Sequence, residues 1–334
     1  MYRKVLIGNP AQLEAESIEL KKGELYHVIM DLPFGCNLEC LKCYRRGARV
    51  SFDDMHVDIR KKVIAKSKER NAQVLVIPGE GEPLMHKKRL FELISYAHSL
   101  GMMPLIYTNG HYLDEETIKK LIKYNTTVIF SLDSVNPETY KFLTGGKGDL
   151  ERVMNNFKML KKAYKRFVRI EGDTLYTKLG VITIVTQPNK KEISQIKEFI
   201  GDEVFHIVNF PIKAGKAEKN WDVLVGDEEG LKELKAIANE HTDAAVGGLT
   251  ASYKGRCIAL HNGVTVDTNG DVLACPAAVN VILGNIQEES LDSLLEKKQK
   301  YLEERGNPTC LLRELSKKSV PVLKYHDGVS GKRI

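Results

Sequence analysis

Six cysteines carry the first chemical signal in this 334-residue chain. Three of them, Cys36, Cys40 and Cys43, fall in the run CNLECLKCY with the spacing C-x3-C-x2-C. Soft thiolates so spaced on one loop can converge on zinc or on an iron–sulfur cluster. Three ligands rather than four is the informative point, because a structural zinc site is closed by four. A cluster held by three cysteines leaves one iron open to another molecule. A zinc site completed by a distant residue such as His56, or three thiols that bind nothing, also satisfies the spacing.

A second signal lies in Pro78-Gly79-Glu80-Gly81-Glu82-Pro83-Leu84. Glycines there let the backbone approach a ligand closely, and the carboxylate beside them can receive an ammonium group. Thr108-Asn109-Gly110 and Ser131-Leu132-Asp133 are two further short polar segments. Each alone is ordinary turn chemistry, and Asp133 is expected to cap the helix that follows it, with substrate binding as the alternative. The other three cysteines, Cys257, Cys275 and Cys310, gather near the C-terminal end. Cys275 closes the run GVTVDTNGDVLACP, in which Asn-Gly between β-prone stretches signals a hairpin. With no signal-type leader, the six cysteines read as metal ligands or reactive thiols rather than a disulfide framework.

These residues need elements to position them. Short apolar runs rich in Val, Ile and aromatics occur at Tyr26–Leu32, Val74–Ile77, Pro104–Tyr107, Val128–Leu132, Gly180–Val185 and Phe205–Phe210. They read as buried parallel strands. Amphipathic stretches between them, Val57–Arg70, Lys88–Leu100, Asp114–Tyr124, Asp149–Arg166 and Lys190–Ile200, read as helices. Asp114, Glu115 and Glu116 put acid where a helix dipole favours it. Such β–α alternation predicts a parallel sheet with helices outside it, and an open sheet and a partial barrel both fit. In either, the loops after the strand C-termini carry the chemistry. The cysteine run and the three polar segments follow four consecutive strands, as that rule requires. Beyond them, residues 213–255 read as a connector with one helix near Glu228–Glu240. The hairpin strands are expected at Gly263–Val266 and Asp271–Ala274, with a helix over Leu291–Arg305.

Composition narrows the class. The chain is 43% hydrophobic and 28% charged, as globular domains are. A net charge of +6 is mildly basic, and the lysines are scattered along helical stretches. Solvated helix faces explain them, and a nucleic-acid partner is not expected without clustering on one face. No apolar run approaches the roughly 18 to 20 residues that span a bilayer, so a cytoplasmic protein with no membrane contact is expected.

CNLECLKC, its place after the first strand and Asn37 all resemble the C-x3-C-x2-C signature of the radical S-adenosylmethionine (SAM) superfamily. The resemblance implies that Cys36, Cys40 and Cys43 bind three irons of a 4Fe–4S cluster whose fourth iron chelates SAM. Gly81 and Glu82 match the family's GGEP motif, which holds the methionyl amine, with Glu80 in place of its first glycine. Thr108 and Ser131 match segments that touch SAM. The position before the last cysteine is often aromatic in the family; here it is Lys42, and Tyr44 follows instead. Cys257, Cys275 and Cys310 resemble the SPASM/Twitch extension, in its shorter Twitch form, which holds an auxiliary 4Fe–4S cluster. Only three cysteines are available there, so an open iron or a non-cysteine ligand completes that cluster, or one thiol serves as a hydrogen donor.

The implied fold is α/β, a partial (β/α)6 barrel with a small C-terminal hairpin-and-helix cluster domain. The expected units are an N-terminal extension (1–24), the barrel (25–212), the connector (213–255) and the cluster domain with its tail (256–334). The implied activity is reductive cleavage of SAM to a 5′-deoxyadenosyl radical that takes hydrogen from a small molecule. A sugar or aminocyclitol, oxidised or epimerised, is the first expectation. A peptide-modifying maturase (thioether formation or epimerisation) is the second, and a non-catalytic metal-binding module the contrasting class. Flavodoxin or ferredoxin is the expected electron donor.

Overall fold

The computed structural model describes residues 2–9, 23–33, 35–45, 55–243, 257–278, 281–308 and 311. The chain runs through β1 (Arg3–Leu6), β2 (His27–Met30), α1 (Val57–Glu69), β3 (Val74–Ile77), α2 (Lys87–Ser99), β4 (Met103–Thr108), α3 (Glu115–Lys123) and β5 (Thr127–Ser131). It continues through α4 (Pro137–Leu143), α5 (Leu150–Tyr164), β6 (Arg169–Glu171), β7 (Thr174–Thr177), β8 (Leu179–Ile184), α6 (Ile193–Ile200) and β9 (Phe205–Asn209). Then come α7 (Gly215–Lys219), α8 (Trp221–Leu224), α9 (Glu228–His241), α10 (Ile258–His261), β10 (Gly263–Val266), β11 (Asp271–Leu273), β12 (Ile282–Asn285) and α11 (Leu291–Glu303).

Strands β2, β3, β4, β5, β8 and β9 pair in parallel in that order. Their side chains alternate between two cores, as a period of two demands. Val28, Met30, Leu75, Ile77, Ile106, Val128, Phe130 and Val181 face the helices. Ile29, Val74, Val76, Leu105, Ile129, Phe205 and Ile207 form a second cluster on the opposite face. That second cluster joins the first strand to the last, so the sheet is curled around it as a partial barrel. Leu6 of β1 belongs to the same cluster. The N-terminal strand therefore plugs the lumen, held by the Thr127 hydroxyl donating to the Ile7 carbonyl at 2.6 Å. The plug was not expected: a four-residue strand is too short for its periodicity to stand out.

The C-terminal unit continues the barrel sheet. β10 pairs in parallel with β2, and β11 and β12 add antiparallel beyond it, giving nine strands among the described residues. The expected hairpin is present, with β12 as an additional third strand. Arg60, fully buried, ties the hairpin turn to the barrel. Its guanidinium donates to the carbonyls of Asp31, of Met55 at 3.2 Å and of Thr268 at 3.3 Å. The Thr268 hydroxyl donates to the Leu32 carbonyl at 2.6 Å, closing the same joint. Helix starts follow ordinary capping chemistry, Asp114, Asn136, Asp149, Asp227 and Ser290 each accepting from a first-turn N–H.

Candidate active site

The loop after β2 carries Cys36, Cys40 and Cys43, and other elements hold it by its backbone. Glu39 and Leu41 donate to the carbonyls of Thr144 and Leu143 at the C-terminal end of α4, at 3.2 and 2.9 Å. The Cys43 carbonyl accepts from Ala217 of α7 at 3.2 Å. The Cys36 sulfur accepts from the Leu38 N–H at 3.4 Å, and the Asn109 amide stands 3.9 Å from it. Burial pushes the Cys36 thiol up to about 11 and Cys40 up to about 12, and raises Cys43 as well. Free thiols so placed are poor nucleophiles at neutral pH, and a metal would have to displace their protons. Among the described residues no three His, Cys, Asp or Glu side chains crowd to the separation one ion imposes.

The glycine–glutamate turn rests directly on this loop. A Cβ on Gly81 would lie 1.9 Å from the Gly35 carbonyl oxygen, and the Glu82 N–H donates to that oxygen at 2.8 Å. The buried Glu82 carboxylate accepts from the Thr108 hydroxyl at 2.7 Å, the Asn109 N–H at 2.7 Å and the Leu84 N–H at 3.0 Å. Thr108 thus positions Glu82, and its oxygen also accepts from Gly110 at 3.1 Å. Ser131, half-buried at the end of β5, lines the same cavity. Asn109 was missed as a site residue although its triplet stood out. It joins three segments, donating its side-chain amide to Asn37 at 2.9 Å and its N–H to Glu82.

Buried charge surrounds this corner. Arg45 reaches Asp31 at 3.1 Å and Glu80 at 3.5 Å, all three buried. Burial opposes the guanidinium charge, but Asp31, Tyr44 and Glu80 outweigh it. Glu80, standing where the family has a glycine, is therefore one arm of an ion-pair network. Lys42 pairs with Asp133, whose carboxylate also accepts from the Ile184 N–H at 2.9 Å. That corrects the capping expectation for Asp133, because Asn136 caps α4. None of these pairings shows in the sequence, since each joins residues from separate loops.

A cavity of about 400 Å³ connects the cysteine loop to the second cysteine group. Cys36, Cys40 and Cys43 line it with Gly81, Glu82, Thr108 and Ser131, and so do Cys257 and Cys275. Ile29, Val76, Tyr107, Ile182 and Ile207 supply the lumen wall between them. Cys257 precedes α10 and Cys275 follows β11, so both lie by the N-terminal edge of β2 and β10, opposite the first loop. Lys298 of α11, almost fully buried, reaches toward them and donates to the Gly263 carbonyl at 2.6 Å. Burial pulls its ammonium down to about 8 against the opposing pull of Cys275 and Cys257. Cys310 lies outside the described residues. Pro308 before it accepts from His261 at 2.9 Å, and Leu311 after it is buried.

Comparison with known proteins decides the family. The sequence model of the Radical SAM superfamily matches residues 32–200, half of the chain. The chain belongs to the radical SAM superfamily. An iron–sulfur cluster-binding domain of SPASM type matches residues 257–319. The AdoMet-dependent heme synthase of Methanosarcina barkeri is 25% identical over 308 residues, covering 82% of this chain and 83% of that one. A probable GTP 3′,8-cyclase of Methanocaldococcus jannaschii is 31% identical over 182 residues, 53% of this chain and 57% of the relative. Among solved structures, Streptococcus suis SuiB bound to S-adenosylmethionine superposes with a TM-score of 0.65 at 16% identity, over 91% of this chain and 77% of that one. At that identity the likeness concerns the fold.

As a radical SAM enzyme with a SPASM-type domain, the chain uses SAM, a 4Fe–4S cluster and an auxiliary cluster. Its residues fit these groups. Two thiol sets line one cavity, and the Gly81 turn leaves bare backbone beside the first set. A carboxylate stands there to meet a cation. A cubane, in which each thiolate takes its own iron, spaces its ligands more widely than a single ion does.

Glu82 gives this radical SAM enzyme a testable pH response. Burial lifts its carboxyl to about 7, against the three hydrogen bonds that pull it down. The folded chain therefore holds a proton that the unfolded chain has released. Without SAM, this group's contribution is fully present below about pH 4.5 and lost as pH rises through 7. The difference is about 3 kcal/mol. Denaturant titrations of the wild type and E82Q across that window should diverge by this amount. Parallel curves would show that Glu82 does not titrate there.

Proposed function

We propose that Cys36, Cys40 and Cys43 hold the SAM-binding cluster and that Cys257, Cys275 and Cys310 hold the auxiliary cluster. Gly81 and Glu82 receive the methionyl end of SAM, Thr108 keeps the Glu82 carboxylate in place, and Ser131 meets the nucleoside side. A small molecule sits in the lumen between the two groups and is oxidised there. The observation that supports this reading is the single cavity reaching from one cysteine group to the other. When bound, the reduced cluster and SAM supply a 5′-deoxyadenosyl radical, and the auxiliary cluster an electron acceptor.

The chain's own residues do the rest. Leu6 and the aliphatic lumen wall exclude water, which protects a reactive species from side reactions. The exposed surface of the cavity is mostly apolar, with Asn9, His27, Tyr107 and Asn209 among the polar side chains that line it. That suits a substrate with an apolar body and a few polar groups better than a densely hydroxylated sugar. Relatives with similar sequences are named for heme and nucleotide chemistry, which also favours a small molecule over a peptide. Flavodoxin or ferredoxin would deliver the first electron. A reducing cytoplasm suits cysteines that serve as metal ligands, as proposed for Cys36, Cys40 and Cys43. Among the described residues no helix is long and apolar enough to cross a membrane.

Anaerobic reconstitution tests the assignment. Replacing Cys275 with Ala should remove one cluster's iron and stop product formation while 5′-deoxyadenosine continues to form. Unchanged iron per chain in that variant sinks the auxiliary-site assignment. SAM cleavage stimulated by a peptide that binds at micromolar concentration, and by no small molecule, would replace the substrate reading with a peptide maturase.

A further inference from the structure

His27 opens β2 and is fully buried. Its ring lies on the lumen side with Ile29 and lines the cavity, as Cys257 and Cys275 do. Neither ring nitrogen has a hydrogen-bond partner among the described residues. A buried polar group left so costs about 1–3 kcal/mol, and an apolar residue would fill the position at no such cost. The fold makes room for the ring all the same. β10 sets Gly263 opposite His27, and a Cβ there would lie 2.3 Å from the imidazole Nε2. Lys298 is seated on the Gly263 carbonyl, and β10 places Thr265, on the same face as Gly263, opposite Leu273, two residues before Cys275. His27, Cys257, Cys275 and Lys298 therefore bound one small region. Burial first, and Lys298 second, pull the imidazole down to about 3, so it is neutral with a lone pair available.

The cysteine count leaves a gap in the same region. Of six cysteines, the first loop takes three, and three remain for a cubane of four irons. Imidazole nitrogen is a known ligand to iron in protein clusters. The nearby His261 directs its Nε2 to the Pro308 carbonyl at 2.9 Å.

We propose that His27 is a further protein ligand of the auxiliary cluster, its imidazole taking an iron beside those of Cys257 and Cys275. This rests on the assignment of those cysteines to that cluster. A neutral nitrogen in place of a thiolate makes the cluster less negative and raises its potential, as an electron acceptor requires.

The experiment uses the full-length chain with Cys36, Cys40 and Cys43 all changed to Ala, reconstituted without SAM, so that only the C-terminal cluster is present. Pulsed EPR of the reduced cluster should show strong ¹⁴N coupling that becomes ¹⁵N coupling on histidine labelling. The coupling should vanish in H27A with iron retained. H27C should also lose it, with a lower reduction potential. Iron present without histidine coupling in the chain retaining His27 overturns the proposal, and so does coupling that survives H27A. Failure of H27A to fold leaves the labelled chain and H27C to decide. Absence of any cluster in the triple variant overturns the cysteine assignment itself, and His27 with it.

Discussion

Alanine at Cys36, Cys40 or Cys43 is expected to bring 5′-deoxyadenosine formation to background. The loss should exceed the 10- to 100-fold typical of changes around, rather than at, a metal's ligands. The expectation is steep because each thiol has a separate task. The loop is clamped by Thr144, Leu143 and Ala217, so no other side chain can slide into a lost position. His56, the completing ligand of the zinc alternative, stands exposed, with its Nδ1 accepting the Asp58 N–H at 3.3 Å as a cap of α1. Quantifying 5′-deoxyadenosine under dithionite in each variant makes the test. A yield equal to wild type in any one of them removes that cysteine from the cluster.

Gly81→Ala is expected to weaken SAM binding by about 10- to 100-fold and to cost about 1–3 kcal/mol of stability. The added carbon would meet the Gly35 oxygen at 1.9 Å, its carbon at 2.6 Å and its nitrogen at 2.9 Å. All three are backbone atoms next to Cys36, so nothing flexible can give way. Relief must come from parting the two loops, which breaks the hydrogen bond from Glu82 to Gly35 and shifts the carboxylate. Calorimetric titration with SAM and a thermal melt report both effects. Wild-type affinity in this variant would mean that the loops do not press together as described.

The chemistry was legible in the sequence where it is local. C-x3-C-x2-C and the glycine–glutamate turn each sit within a few residues, and the strands behind them are apolar enough to find by pattern. Six strand predictions match β2, β3, β4, β5, β8 and β9 to within two residues at each end. What the sequence hid is long-range or short-lived in pattern. Arg45 finds Asp31 and Glu80 across separate loops, and Lys42 finds Asp133. His27 looks like one more residue of an apolar strand, and only the pairing with Gly263 gives it a place. β6 and β12 drew no strand prediction for another reason. The first is three exposed residues, and the second carries Gly284 and Asn285, which lower strand propensity.

The pairing of β10 on β2 makes the sheet a ruler. One set of thiols hangs from the loop beyond the C-terminal end of β2, and the other collects beside its N-terminal edge. Their separation is counted out by strand residues, each adding about 3.3 Å. With the two clusters assigned to these thiols as proposed, backbone hydrogen bonds rather than a hinge would set the distance an electron has to cross.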